Sequence, residues 1–219
     1  MFKLLINNFF KKYVNDIYYL INLILDFLKS KFNLLNLKFV ISIFGSSRIK
    51  KNNLYYLTCL KLSKLLVNSG FKIFTGGGLG IMEAANKGAF NLKKISSIGL
   101  NFEFLNNIKN NFQNMSIDYN FLFMRKNSFY KYSKAYIIFP GGLGTIDEFT
   151  EILNLLQMNM IRKVPVILVG SSFWSGFIDW MNNIMIKNNF INTKDLKLFK
   201  IIDEPIKILN FIKNFYKKK

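Results

Sequence analysis

The chain has 219 residues, half of them hydrophobic, and its 31 basic against 12 acidic side chains give a net charge of +19. That length suits one domain with a full core. The absence of histidine excludes Ser-His-Asp and Cys-His nucleophile systems and histidine-ligated zinc, and the single cysteine, Cys59, excludes internal disulfides and multi-cysteine metal sites.

Any catalysis therefore runs on carboxylates, Arg, Lys, Tyr, hydroxyls or backbone amides, and neither a metal nor an organic cofactor is expected. Taken alone, the charge suggests a nucleic-acid or anionic-membrane partner. Its lysines are spread along the chain, however, and no aromatic-basic motif marks a strand groove. Lys, Asn, Ile and Phe are abundant together, as drift toward AT-rich codons would produce. The expectation is no specific nucleic acid and no membrane, with the charge left to attract a phosphorylated substrate. The lone cysteine and the lack of a small-residue cleavage site after the N-terminal apolar stretch point to the cytoplasm.

Near the N-terminus, Val14, Ile17, Tyr18, Ile21, Leu25 and Leu28 follow helical spacing, interrupted by Asn22 and Asp26. The run is too short to span a bilayer and reads as an amphipathic helix for core or oligomer packing. It forms an N-terminal helical extension over 1–37, ahead of one domain over 38–219. A steady alternation follows: "KFVISIFGSS" (38–47) as a strand, "LYYLTCLKLSKLLVNSG" (54–70) as a helix closed by Gly70, "FKIFTGGG" as a strand and glycine loop, "IMEAANKGAF" as a helix, and "SSIGLNF" (96–102) as a third strand. The Asn-rich segment from Glu103 to Ser116 reads as a long loop. In the second half, "YNFLF" reads as a strand, "MRKNSFYKYSK" as a helix, "AYIIFP" as a strand, "TIDEFTEILNLLQMNM" as a helix, "VPVILVG" as a strand and "FWSGFIDWMNNIMIK" as a helix. A short strand "FKIID" and a helix from Pro205 close the chain. Near-continuous apolar strands alternating with helices predict an α/β fold, a doubly wound parallel sheet covered on both faces.

Ligands of such sheets bind at the carboxyl ends of strands. Seven of the thirteen glycines lie there in two clusters, Gly76, Gly77, Gly78 and Gly80, then Gly141, Gly142 and Gly144. Glycine lets a ligand approach main-chain amides closely, and a helix N-terminus favours an anion. Neither cluster is a P-loop or a dinucleotide fingerprint, so a mononucleotide is the better ligand. Asp147, Glu148 and Glu151 concentrate three of the twelve acids in five residues. Thr145 and Glu148 have the spacing of a capping box, and helix-dipole complementarity accommodates one or two acids. A carboxylate within a turn, about 5.4 Å, of a bound phosphate would instead reach the anomeric carbon of a ribose, where it would stabilise an oxocarbenium-like transition state or activate water. Arg125, one of only three arginines, supplies a cation.

"PGGLGTIDE" (140–148) with "MRK" (124–126) upstream resembles the signature of the Lonely Guy family. "IFGSSR", "TGGGLGIMEAANKGAF" and "INTKDLKLFKIIDEP" extend the likeness to its longer bacterial branch. Family members are phosphoribohydrolases that release cytokinin-type or other bases from nucleoside 5′-monophosphates, and many were formerly labelled lysine decarboxylases. The resemblance implies a Rossmann-like nucleotide-binding domain, a nucleoside monophosphate substrate such as AMP, and homodimers or higher homo-oligomers. It implies that Arg125 and Glu148 are catalytic. Gly142, Gly144 and Thr145 would hold the phosphate, Ser46, Gly76, Gly77 and Gly78 would line the nucleotide pocket, and Gly141 and Lys126 would also bind substrate. Glu83 and Glu151 would contact the ribose. The chain departs from the family pattern after Asn101, with "FEFLNNIKNNFQN". A decarboxylase would need a Schiff-base lysine for pyridoxal phosphate, and no lysine has that context. The remaining rival is a non-catalytic binder or carrier of a nucleotide derivative on the same sheet, which needs the glycine loops and not the acids.

Overall fold

A computed structural model describes residues 2–102 and 108–217, with side chains from Tyr13 onward. Seven parallel strands form one sheet: β1 (Val40–Phe44), β2 (Lys72–Thr75), β3 (Ser97–Phe102), β4 (Met115–Tyr119), β5 (Ser133–Ile138), β6 (Val166–Leu168) and β7 (Lys200–Ile201). Their order is β4-β3-β2-β1-β5-β6-β7. The chain winds outward from β1 to β4, then returns to β5 on the other side of β1, so the switch in strand order lies between β1 and β5. The expected doubly wound α/β sheet is the observed fold.

Helices cover both faces, as the near-continuous apolar strands require. α2 (Leu54–Asn68), α3 (Ile81–Ala89) and α7 (Pro205–Lys217) pack on one face around Ile41, Ile43, Ile73 and Ile137. On the other face α1 (Phe2–Leu34), α4 (Leu122–Tyr132), α5 (Leu143–Gln157) and α6 (Ser171–Trp180) enclose Phe44, Phe74, Tyr136 and Ile138. Gly70, at φ +97°, closes α2 as expected.

Two segments differ from the sequence expectation. The fourth strand lies at Met115–Tyr119, beginning inside the stretch read as loop, and "YNFLF" is the lead into α4 rather than a strand. β4 is an edge strand with only Ile117 and Tyr119 buried, so it lacks the continuous apolar run of its neighbours. The apolar run at Phe121–Phe123 belongs to the first turn of α4, where Leu122 and Phe123 are exposed. Of the departing loop, residues 103–107 lie outside the described residues.

The second difference concerns α1. Its apolar stripe, Val14, Ile17, Tyr18, Ile21, Leu25 and Leu28, is exposed, so it contributes nothing to this chain's core. The buried stripe is Asp26, Ser30 and Leu34, one side of the helix at i, i+4, i+8. Among the described residues no helix is long and apolar enough to cross a membrane.

Candidate active site

The switch point gathers the loops after β1, β2 and β5 and the start of α4. Ser46 N donates to Pro140 O at 3.0 Å, tying the loop after β1 to the loop after β5. Between them opens a cavity of about 570 Å³ lined by Ser46, Ser47, Arg48, Met82, Arg125, Lys126, Gly142, Gly144, Thr145, Asp147 and Glu148. A second cavity of about 370 Å³ adjoins it, with Gly76, Gly77, Gly78, Leu79, Asn101, Ile108 and Lys109 in its wall. Ser47, Met82 and Arg125 line both.

The two glycine clusters have different work. In the first, the glycines make room for protein. A Cβ on Gly76 would collide with Arg125 Nη2, and one on Gly77, already at φ +74°, would collide with Asn101 Oδ1. Gly77 N is used internally, donating to Thr75 Oγ1 at 2.9 Å, and Ile81 N, at the start of α3, donates to Ser46 O at 3.0 Å. Nothing lies within 4 Å of a Cβ at Gly142 or Gly144, and neither has positive φ. No contact within the chain demands glycine there, and open space stands in front of the α5 N-terminus.

That terminus begins earlier than the capping box requires. α5 starts at Leu143 with Gly142 as N-cap and no side-chain cap, so among the described residues the first-turn amides of Leu143, Gly144 and Thr145 have no side-chain acceptor. Thr145 stands at the third helical position, buried, its side chain against Gly141. Glu148 falls in the second turn and α5 has no acid in its first, so neither capping nor dipole complementarity accounts for the acids.

Glu148 Oε1 lies 3.9 Å from Arg125 Nη2, and both side chains are largely buried, at 19% and 13% exposure. Burial pushes the Glu148 carboxyl up to about 7, against the pull of Arg125 and then Lys126. Burial also lowers Arg125, with Glu148 opposing, and its guanidinium sits 5.7 Å over the Phe129 ring. The buried Arg125 Nε has no hydrogen-bond partner among the described residues. Lys126 is gripped by Asp147 at 2.5 Å and Glu151 at 2.7 Å. Burial pulls Lys126 down, but those two carboxylates prevail and hold it above its ordinary value.

Arg125, Glu148, Lys126, Ser46, Gly142, Gly144 and Thr145 thus meet around one cavity, with Gly76, Gly77 and Gly78 around its neighbour. Gly141, Glu83 and Glu151 line neither. Glu83 is buried between α2 and α3, 3.0 Å from Lys51 Nζ. Glu151 instead anchors Lys126. Sequence reasoning did not name Ser47, Met82, Ile108 or Lys109 as site residues, although Ser47 lies in "GSSR", Met82 in "TGGGLGIME", and Ile108 and Lys109 in the long loop after Phe102.

A family profile described as "Possible lysine decarboxylase" matches residues 82–212. The chain belongs to this family. It is the Lonely Guy family under its older label. A search of curated proteins finds no match. Three solved structures are similar in fold. One, titled as the X-ray structure of TM1055, has TM-score 0.60 and 19% identity, covering 80% of this chain and 98% of its own. The molybdenum cofactor binding protein from Rippkaea orientalis has TM-score 0.59 and 22% identity, covering 82% and 98%. The Moco carrier protein from Chlamydomonas reinhardtii has TM-score 0.59 and 20% identity, covering 83% and 99%. The older label does not fit the cavity lysines. A Schiff-base lysine needs a lowered pKa, whereas Lys126 is held above its ordinary value by two carboxylates and Lys109 pairs with Asp118 at 2.6 Å. These residues therefore do not fit pyridoxal phosphate.

Proposed function

We propose that the protein hydrolyses the N-glycosidic bond of nucleoside 5′-monophosphates, AMP or N6-modified AMP, to free base and ribose 5-phosphate. One observation carries this reading: an open, uncapped α5 N-terminus with a buried carboxyl, Glu148, one turn along it and Arg125 3.9 Å from that carboxyl. A 5′-phosphate on the amides of Leu143 to Thr145 places the ribose over Glu148. As the bond from C1′ to the base nitrogen breaks, its electron pair leaves with the base and C1′ becomes cationic. Ionised Glu148 stabilises that charge and accepts a proton from the water that attacks C1′, and that proton passes on to the departing base, giving neutral free base and restoring the carboxylate. Arg125, which lines both cavities, orients the nucleotide and offsets the phosphate charge. The adjoining cavity of Gly76–Gly78, Leu79 and Asn101 receives the base.

The reading makes phosphate indispensable. AMP is expected to be cleaved at least about 100-fold more efficiently than adenosine, since remote binding energy is spent at the reacting centre. Gly142→Ala is expected to leave thermal stability within about 0.5 kcal/mol, since its Cβ meets nothing, yet to weaken AMP binding about tenfold or more by filling the cradle. Equal cleavage of adenosine and AMP, or unchanged AMP affinity in that variant, would count against the phosphate position.

The pH dependence follows from the ionised form being active. Activity as kcat/KM should rise with pH through a midpoint of about 7, the value to which burial pushes Glu148. Lys126 pulls that value down, so Lys126→Met should move the midpoint upward. A limb falling with pH over the same range would make Glu148 a proton donor instead. Binding of AMP without turnover at any pH would favour a binder or carrier, as the Rippkaea orientalis binding protein and the Chlamydomonas reinhardtii carrier protein are named.

A further inference from the structure

α1 lies outside the residues matched by the family profile, 82–212, yet it fastens the helix that carries Arg125. Asp26 is completely buried in a mainly apolar helix, and its carboxylate is aimed at the lead into α4. Oδ2 accepts from Asn120 N at 2.8 Å and from Phe121 N at 3.0 Å, while Oδ1 accepts from Asn120 Nδ2 at 2.8 Å. The peptide chain continues the connection: Phe121 O accepts from Arg125 N at 3.1 Å, closing the first turn of α4. No side chain of α4's own N-terminus caps it.

One turn further along α1, Ser30 makes a second fastening. Its Oγ stands 2.9 Å from Ser128 Oγ and 3.0 Å from Tyr119 OH, and Tyr119 OH donates to Ser128 Oγ at 2.9 Å, all three groups buried. Arg125 thus sits between two points at which α1 grips α4, residues 120–121 and residue 128. Tyr19 adds an edge-to-face contact with Phe121, ring centroids 4.6 Å apart. A buried carboxylate and a buried hydroxyl cluster are costly to assemble unless satisfied, so each specifies one docking of α1.

We propose that α1 sets the position of Arg125, with Asp26 as a positioning residue for the cleavage reaction. The proposal rests on the function argued above, but its local part is measured without turnover. In the full chain, Asp26→Ala removes both backbone bonds. Amide hydrogen exchange over residues 120–125 should quicken about tenfold, with the amides of β1 and α5 unchanged. Turnover of AMP should fall about tenfold in kcat with KM within about twofold, because the phosphate cradle on α5 is untouched and the Arg125 charge is misaligned but still present. Asp26→Asn separates this role from bulk. Both backbone bonds go to one oxygen, which asparagine can supply, so that variant should keep near-normal exchange and kcat while losing the Asn120 side-chain bond and the 3.6 Å ion pair with Lys29.

Exchange that is unchanged over 120–125 in Asp26→Ala would overturn the proposal. So would exchange that rises equally in β1 and α5, which would make Asp26 a general fold residue, or a kcat that stays normal despite local opening. If the wild-type chain cleaves nothing, the proposed function fails, and the exchange pattern still decides whether Asp26 holds α4.

Discussion

Replacing Glu148 by Gln is expected to lower kcat for AMP by about 1,000-fold while AMP affinity stays within a few-fold. Glutamine keeps the size and one acceptor oxygen of glutamate, so the cavity and the α5 cradle survive. It removes the negative charge that meets the cationic anomeric carbon and the base that takes the proton of water, effects worth about 10²–10⁴ in rate. The same substitution is expected to stabilise the fold at neutral and higher pH. Glu148's folded-state value is raised to about 7 by burial, above the ordinary carboxyl value of 4.5. Between those values the folded chain binds more protons than the unfolded one, so stability falls as pH rises through the window. The wild-type penalty is absent below about pH 4.5 and complete above about pH 7. A neutral amide at that position escapes it, and Glu148→Gln should gain about 1–3 kcal/mol at pH 8 and nothing at pH 4, read from denaturant unfolding at the two pH values. A variant equally active, or equally stable to wild type at both pH values, would remove Glu148 from the centre of the site.

Arg125→Ala carries the second large effect, about 100-fold or more in kcat/KM, because the substitution removes the one guanidinium shared by both cavities. Its signature differs from that of Glu148→Gln. Arg125 is the largest influence pulling Glu148 down, so without it the carboxyl rises further and the acidic limb of activity moves above 7. Affinity for AMP should also weaken, since the phosphate loses a counter-charge. Arg125→Lys should recover little, because a lysine ammonium lacks the planar fork of five donors, one nitrogen of which lies toward Glu148. A pH limb that stays at about 7 in Arg125→Ala would show that the two side chains are not coupled.

The sheet was legible because β1, β2, β3, β5 and β6 are buried on both faces and read as near-continuous apolar runs. β4 was not, because an edge strand buries only Ile117 and Tyr119 and has no run to read. The exposed apolar residues of α4's first turn imitated a strand beside it. In α1 the hydrophobic stripe suggested the docking face, and Asp26 looked like an interruption. The partner of Asp26 lies 94 residues away in sequence, so no local pattern could announce it.

At the site, the acid cluster, Arg125 and the second glycine cluster were legible from their rarity in a basic chain. The spacing of Thr145 and Glu148 pointed to a capping box, and only the observed start of α5 at Leu143 frees Glu148 from that duty. Equally invisible was the division of labour between the glycines: Gly76 and Gly77 yield to Arg125 and Asn101, whereas Gly142 and Gly144 face open space. Glu83 and Glu151 matched the pattern of ribose contacts by position, but Lys51 and Lys126 hold them in ion pairs away from the cavity walls.

The most direct measurement is the fate of AMP mixed with excess protein in a single turnover, with free adenine and ribose 5-phosphate both quantified. Equimolar appearance of the two from the wild-type chain, with Glu148→Gln binding AMP and returning it intact, is the predicted result. Wild-type protein that binds AMP stoichiometrically and returns it unchanged would contradict the account and leave the cavity as a binding site alone.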